Sequence, residues 1–134
     1  MGPQWPHQMT EKYSAPGVSA PNGKIYFAPG QADQVLVIDP EVDTASVIGP
    51  RITKTPPDVF RSQKYKAPGV LAPNGKIYFA PCDAEQVLVI NPDAGAVTIR
   101  GPLMPGRQNK YLAPGILAPN GKIYFAPYEA DQVV

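Results

Sequence analysis

Apolar residues in this chain come in short bursts of four or five, separated by proline, glycine and asparagine rather than by long polar faces. Nowhere between the prolines do apolar positions recur at the three-and-four spacing of a helix, whereas short β-branched and aromatic runs bounded by turn residues predict strands. The bursts also repeat in order. Lys12 to Val35 (KYSAPGVSAPNGKIYFAPGQADQV), Lys64 to Val87 (KYKAPGVLAPNGKIYFAPCDAEQV) and Lys110 to Val133 (KYLAPGILAPNGKIYFAPYEADQV) align without a gap. Ala15, Ala67 and Ala113 stand 52 and 46 residues apart, within the roughly 40 to 50 residues of a propeller blade. That period also fits helical arrays, but the prolines in each unit exclude them, because each removes a backbone donor and clashes with the preceding turn.

Four strands are predicted per unit. In the second unit they are Gly69 to Ala72, small and apolar as an innermost strand must be; Lys76 to Ala80; Gln86 to Ile90; and Ala96 to Arg100. The third, with its twin Gln34 to Ile38, is an unbroken apolar run, which implies cover on both faces. The fourth, with its twin Ala45 to Ile48, is weaker and alternates, as suits an outer edge. Asn22-Gly23, Asn74-Gly75 and Asn120-Gly121 predict a tight hairpin between the first two strands, with the positive φ values that match strand twist. Asp39-Pro40 and Asn91-Pro92 open the turns to the fourth strand.

The succession IYFAP, ADQVLVIDP and TASVIGP resembles the YVTN-type β-propeller repeat, in which an IYVAN-like strand precedes a VSVID-like strand. The likeness spans two complete units and most of a third, while the KY.APG and APNG segments depart from that family's wording. It implies an all-β chain of about two and a half four-stranded antiparallel β-propeller blades. This is an incomplete propeller forming a single partial domain over 1–134, with units 12–63, 64–109 and 110–134. Gly2 to Tyr13 resembles the later loop Gly101 to Tyr111, and Val133-Val134 fall where a third strand begins, so a piece of a longer repeat protein is expected. Roughly three or more stacked repeats are needed for stability. Bare terminal faces are therefore expected to drive association with other copies, as a homo-oligomer, or with other propeller blades.

Composition narrows the function further. Eighteen prolines and twelve glycines would suggest disorder if scattered, but they recur at matched places in a chain that is 43% hydrophobic, so they read as turn punctuation. A net charge of +1 supplies no field for nucleic acid or anionic lipid. No apolar stretch approaches the roughly 20 residues of a membrane span, and Met1 to Thr10 has no hydrophobic core of the kind a secretory signal needs. Cys82, the only cysteine, has no partner for an internal disulfide, so a cytoplasmic location is the default expectation.

One end of a propeller carries the second-to-third and fourth-to-first strand loops. There Gly30, Cys82 and Tyr128 form one matched column, and Gln31, Asp83 and Glu129 the next; these positions differ between copies. Asp33 and Glu85 follow them, among Arg51, Lys54, Arg61 and Arg107. A binding face is one reading, and solvated ion pairs of small individual worth the other. Lys64-Tyr65 and Lys110-Tyr111, with Lys12-Tyr13, could ring a channel mouth with cations and aromatics. The ordinary expectation is a packed tyrosine with its hydroxyl satisfied and a lysine pointing to water. The pairs Asp33-Gln34, Glu85-Gln86 and Asp131-Gln132 could likewise be recognition residues, but the ordinary expectation is that the Gln fixes a loop through backbone hydrogen bonds.

Catalysis finds little footing, because His7 is the only histidine and no His-based triad or metal cluster assembles from one chain. Asp39, Glu41 and Asp43 alternate as calcium ligands do, but Pro40 intervenes and the glycine of a calcium loop is missing, so they read as an acidic turn. No cofactor is implied. The leading expectation is a non-enzymatic scaffold whose loops bind a protein, glycan or small ligand. The alternative is part of a metal-dependent propeller hydrolase or lactonase whose site is completed by missing blades, and a third reading gives the segment no independent role.

Overall fold

The computed structural model describes residues 13, 15–30, 32–52, 64–101 and 110–127. Among them lie ten strands and no helix. The first sheet contains β1 (Val18–Ser19), β2 (Ile25–Phe27), β3 (Val35–Asp39) and β4 (Thr44–Ile48), each antiparallel to the next. The second repeats that order with β5 (Val70–Leu71), β6 (Ile77–Phe79), β7 (Val87–Asn91) and β8 (Ala96–Arg100). A two-stranded sheet of β9 (Ile116–Leu117) and β10 (Ile123–Tyr124) follows, and none of the three sheets closes on itself. Strands three and four fall within a residue of the segments expected from sequence, and β4 and β8 do lie at sheet edges. The third strand expected in the last unit, and the resemblance of the amino-terminal tail to a later loop, lie outside the described residues.

The first hairpin differs from expectation in one respect. Two-residue Asn-Gly turns would require the flanking Pro73 to donate to Lys76, and proline has no N–H. The closing pair moves outward instead, to Ala72 and Lys76 (Ala72 N to Lys76 O, 2.9 Å), leaving Pro73-Asn74-Gly75 as a three-residue loop. Gly75 N donates to Ala72 O at 2.9 Å, and only the glycine takes positive φ, at 85°. Proline at the first central position and a left-handed glycine at the end describe a type I turn running into a bulge. Asn74 serves the loop through its side chain, whose Oδ1 accepts from Lys76 N and whose Nδ2 donates to the Tyr78 hydroxyl, both at 3.0 Å. The first and third units repeat both bonds.

Alternation along each strand gives every sheet two distinct apolar faces. In the second sheet, Leu71, Ile77, Ile90 and Val97 stand in one cross-strand row, with Phe79, Leu88 and Ile99 in the next. This Phe face packs on Val18, Tyr26, Val35 and Val37 of the first sheet, the Tyr face of that sheet. On the other side of the second sheet, Val70 and Ala80 take Ile123 and Phe125 of the third unit. Both junctions therefore share one arrangement, the Phe face of a sheet set on the Tyr face of the sheet before it. At each junction the buried Phe closes over a glycine of its own sheet: a Cβ on Gly69 would lie 2.6 Å from the Phe79 ring, and one on Gly115 2.6 Å from Phe125. The glycine of each APG segment is thus a seat for an aromatic ring.

These two glycines, Gly69 and Gly75, fail for different reasons when replaced. Gly69→Ala should cost about 1–3 kcal/mol by overpacking against the immobile Phe79 ring, and Phe79→Leu in the same chain should recover part of the loss. Gly75→Val meets open space but a forbidden φ, so its cost of about 1–3 kcal/mol should not respond to Phe79→Leu. Urea midpoints of the single and double variants test both statements.

Candidate functional site

The residues singled out at the loop end of the sheets converge on the two junctions. Lys64 enters between the β2–β3 loop of the first unit and the β6–β7 loop of the second. Its N–H donates to Gly30 O at 3.1 Å, Tyr65 N–H donates to Pro29 O at 3.2 Å, and the Lys64 carbonyl accepts from Cys82 N at 2.8 Å and Ala84 N at 3.2 Å. Its ammonium turns inward, donating to Ala32 O at 2.8 Å and Gly30 O at 3.3 Å, with Asp33 Oδ1 at 3.7 Å. Lys110 repeats the pattern one unit later: its N–H reaches Cys82 O at 3.1 Å, and its Nζ reaches Ala84 O at 2.8 Å and Cys82 O at 3.4 Å. Loop, lysine, loop and lysine form one continuous chain of hydrogen bonds across the repeats.

The lysines do not point to water, as the sequence reading expected. Lys64 and Lys110 are 4% and 1% exposed, and Tyr65, Tyr111 and Cys82 are fully buried. Loop carbonyls left without partners between two stacked sheets need a donor, and the long lysine side chain reaches two of them at once. Gly30 and Asp83 are also buried, so Gly30, Cys82 and Asp83 line the junction instead of a solvent-facing rim. Asp33 and Glu85 are half-buried. Gln31, Tyr128 and Glu129 lie outside the described residues. The tyrosines behave as expected, with hydroxyls satisfied: Tyr65 donates to Gln86 O at 2.8 Å and Tyr13 to Gln34 O at 2.9 Å. Gln34 and Gln86 fix their loops by donating to Gly49 O and Gly101 O at 2.8 and 2.7 Å.

Beside the first junction opens a cleft of about 320 Å³ lined by Arg51, Ile52, Lys64, Tyr65, Glu85 and Gln86. Sequence reasoning named its charged residues singly and missed that Ile52 closes it, by donating its N–H to Asp33 O at 2.7 Å. Arg51 meets Asp33 at 3.5 Å in an exposed pair, which leaves both groups available to a ligand at little cost. Among the described residues no group of three or more His, Cys, Asp or Glu is placed to hold a metal ion, and Asp39, Glu41 and Asp43 sit in the β3–β4 turn, where Asp39 Oδ1 caps Glu41 N. Comparison with protein-family models gave no match, nor did comparison with curated proteins.

Burial sets the ionisation of the junction. It raises Tyr65 well above the ordinary value of 10.0 and raises Tyr13, with help from the Asp33 charge. It lowers Lys64 below 10.5, against the opposing pull of Asp33. Above pH 10 the folded chain keeps tyrosine protons that the unfolded chain releases, so stability falls as pH rises. Lys64 acts oppositely: just below 10.5 the unfolded chain holds its proton more tightly, so stability rises with pH.

Two outcomes follow. Lys110→Met should lower stability by about 1–3 kcal/mol, because Ala84 O loses its donor. Lys66→Met, at a neighbouring exposed position, should stay within about 0.5 kcal/mol. Tyr65→Phe should be about 1 kcal/mol less stable than the native chain at pH 7 through the missing hydroxyl bond. That gap should close by roughly pH 11, since only the native chain carries the penalty of ionising a buried phenol. Urea titrations at the two pH values check it, and the Lys64 contribution cancels in the difference.

Proposed function

We propose that this chain is an arc of β-propeller blades and works as a non-enzymatic interaction scaffold, presenting the loops at one end of its sheets to a protein, glycan or small ligand. The observation that carries the reading is the repeated junction: two four-stranded sheets and the start of a third are joined in the same way, each with a lysine bonded into the preceding loop. A short first strand, an apolar third strand that in the second sheet is covered on both faces, and an edge fourth strand support the blade interpretation, together with the resemblance of the strand segments to YVTN-type repeats. Antiparallel order puts the β2–β3 and β4–β5 connections at one end, and the cleft edged by Arg51 and Glu85 lies there. Its mixed charge and apolar floor suit a ligand with both ionic and apolar parts. The buried lysines and tyrosines hold this end rigid, which lowers the ordering cost of binding.

Amide chemical-shift mapping with a panel of charged peptides, glycans, lactones and esters tests the reading. The expected result is a binder whose shifts cluster at Asp33, Arg51, Glu85 and Gln86, weakened about tenfold by Arg51→Glu, a loss of about 1.4 kcal/mol. Turnover of a lactone or ester with stoichiometric divalent metal, or binding at the opposite, Asn-Gly end of the sheets, would count against it.

A further inference from the structure

We infer that the chain docks head to tail on a second copy of itself, the Phe face of one copy's first sheet seating on the Tyr face of the next copy's third sheet. This goes beyond the scaffold reading, because it draws only on the two junctions inside the chain and on what its outermost faces have in common with them.

Residues covered at the first junction have more exposed counterparts at the ends. Tyr26 of the first sheet, beneath the second, is 2% exposed, and its twin Tyr124 on the last sheet is 44% exposed. Val18 packs into the core of the first junction, whereas its counterpart Ile116, paired with Tyr124 on the same face, is 66% exposed. Ala28 and Pro29, and likewise Ala80 and Pro81, are buried where the next unit meets them, while Ala126 and Pro127 are exposed. The leading side tells the same story. Ile77, Phe79 and Ile90 of the second sheet are fully buried against the first. Ile25, Phe27 and Ile38 hold the same places in the first sheet and are only half-buried, with Val47 exposed beside them, although Leu36 in the same row stays buried at 6%.

The two end faces are therefore complementary to each other rather than each to itself. A Phe face seats on a Tyr face at both internal junctions, and the chain carries one incompletely covered face of each kind at opposite ends. A contact between unlike surfaces is heterologous, and it propagates from copy to copy until the rotation closes a ring. Contiguous apolar surface on the outer faces supplies the driving force.

The test uses two variants changed only at exposed or half-exposed positions. A tail variant, Ile116→Glu with Tyr124→Lys, places opposite charges across β9 and β10 and spoils the Tyr face. A head variant, Ile25→Lys with Val47→Glu, spoils the Phe face of the first sheet. Sedimentation velocity over a wide concentration range should show the native chain at twice the monomer mass or more, and each variant alone as a monomer. An equimolar mixture of the two should form a heterodimer and nothing larger, because one intact head and one intact tail remain. A native chain that stays monomeric throughout overturns the inference, whether or not the variants fold. So does a head variant that still dimerises, which would make the contact tail to tail. Neither result bears on ligand shifts around Arg51 and Glu85, so the scaffold reading stands or falls separately.

Discussion

A sheet built from IYF and VLVI strands has apolar side chains on both faces, so one neighbour never suffices to cover it. Everything else in this molecule follows from that constraint. The second sheet satisfies it with the first sheet on its Phe face and the third unit on its Tyr face. Among the described residues the outer sheets satisfy it less completely on their outward sides, where Ile116 and Tyr124 are exposed and Ile25 and Phe27 half-buried. Burial consequently varies with position in the series rather than with residue type: tyrosines in identical sequence surroundings range from 2% to 44% exposed. Chemistry alone does not make a residue part of the core here; its place in the stack does.

Stacking apolar faces carries little information about rotation or spacing, because the hydrophobic effect is not directional. The lysine clasp supplies what the faces lack. Lys64 and Lys110 each reach two loop carbonyls of the preceding unit, and their own backbone N–H groups bind one of the same carbonyls. Burying an ammonium is costly, and the cost is offset only when its donors find well-placed acceptors. A slipped or rotated neighbour would leave the charge stranded, so the clasp discriminates against misdocked arrangements more strongly than it stabilises the correct one. At the opposite end Asn22 Nδ2, besides meeting its own Tyr26 hydroxyl, reaches across to Pro92 O at 3.5 Å.

Strand order and the edge position of the fourth strand are legible in the sequence because apolar runs and turn residues are local signals, and Gln86 to Ile90 differs from β7 by a single residue at each end. The hairpin loop is one residue longer than Asn-Gly alone implies, because the proline before that pair lacks the N–H that a two-residue turn needs. Lys64 and Lys110 depart from expectation for another reason. A lysine next to a tyrosine at the start of a strand is usually solvated, and nothing local reveals that carbonyls from a loop about 30 residues upstream will need its protons. The recurrence of Lys-Tyr in all three units does not separate the two cases, since Lys24, Lys76 and Lys122 recur as well and are exposed or half-buried.

The same reasoning changes what variation between copies means. Gly30 and Cys82 occupy matched positions with different side chains, which at a solvent-facing loop would suggest a tuned recognition surface. Both residues are buried, and what the junction uses is their carbonyl, which every amino acid possesses: Gly30 O and Cys82 O each accept from the N–H and the ammonium of the next unit's lysine. The side chain at that position has only to fit a slot whose walls come from the adjoining loop. A repeat held together through its backbone is thus free to vary in side chains at its most buried loop, while the lysine that reads that backbone has no substitute. In this fold the fastenings run through loop carbonyls and the lysines that reach them, and the charged groups beside them that reach solvent are Asp33, Arg51 and Glu85.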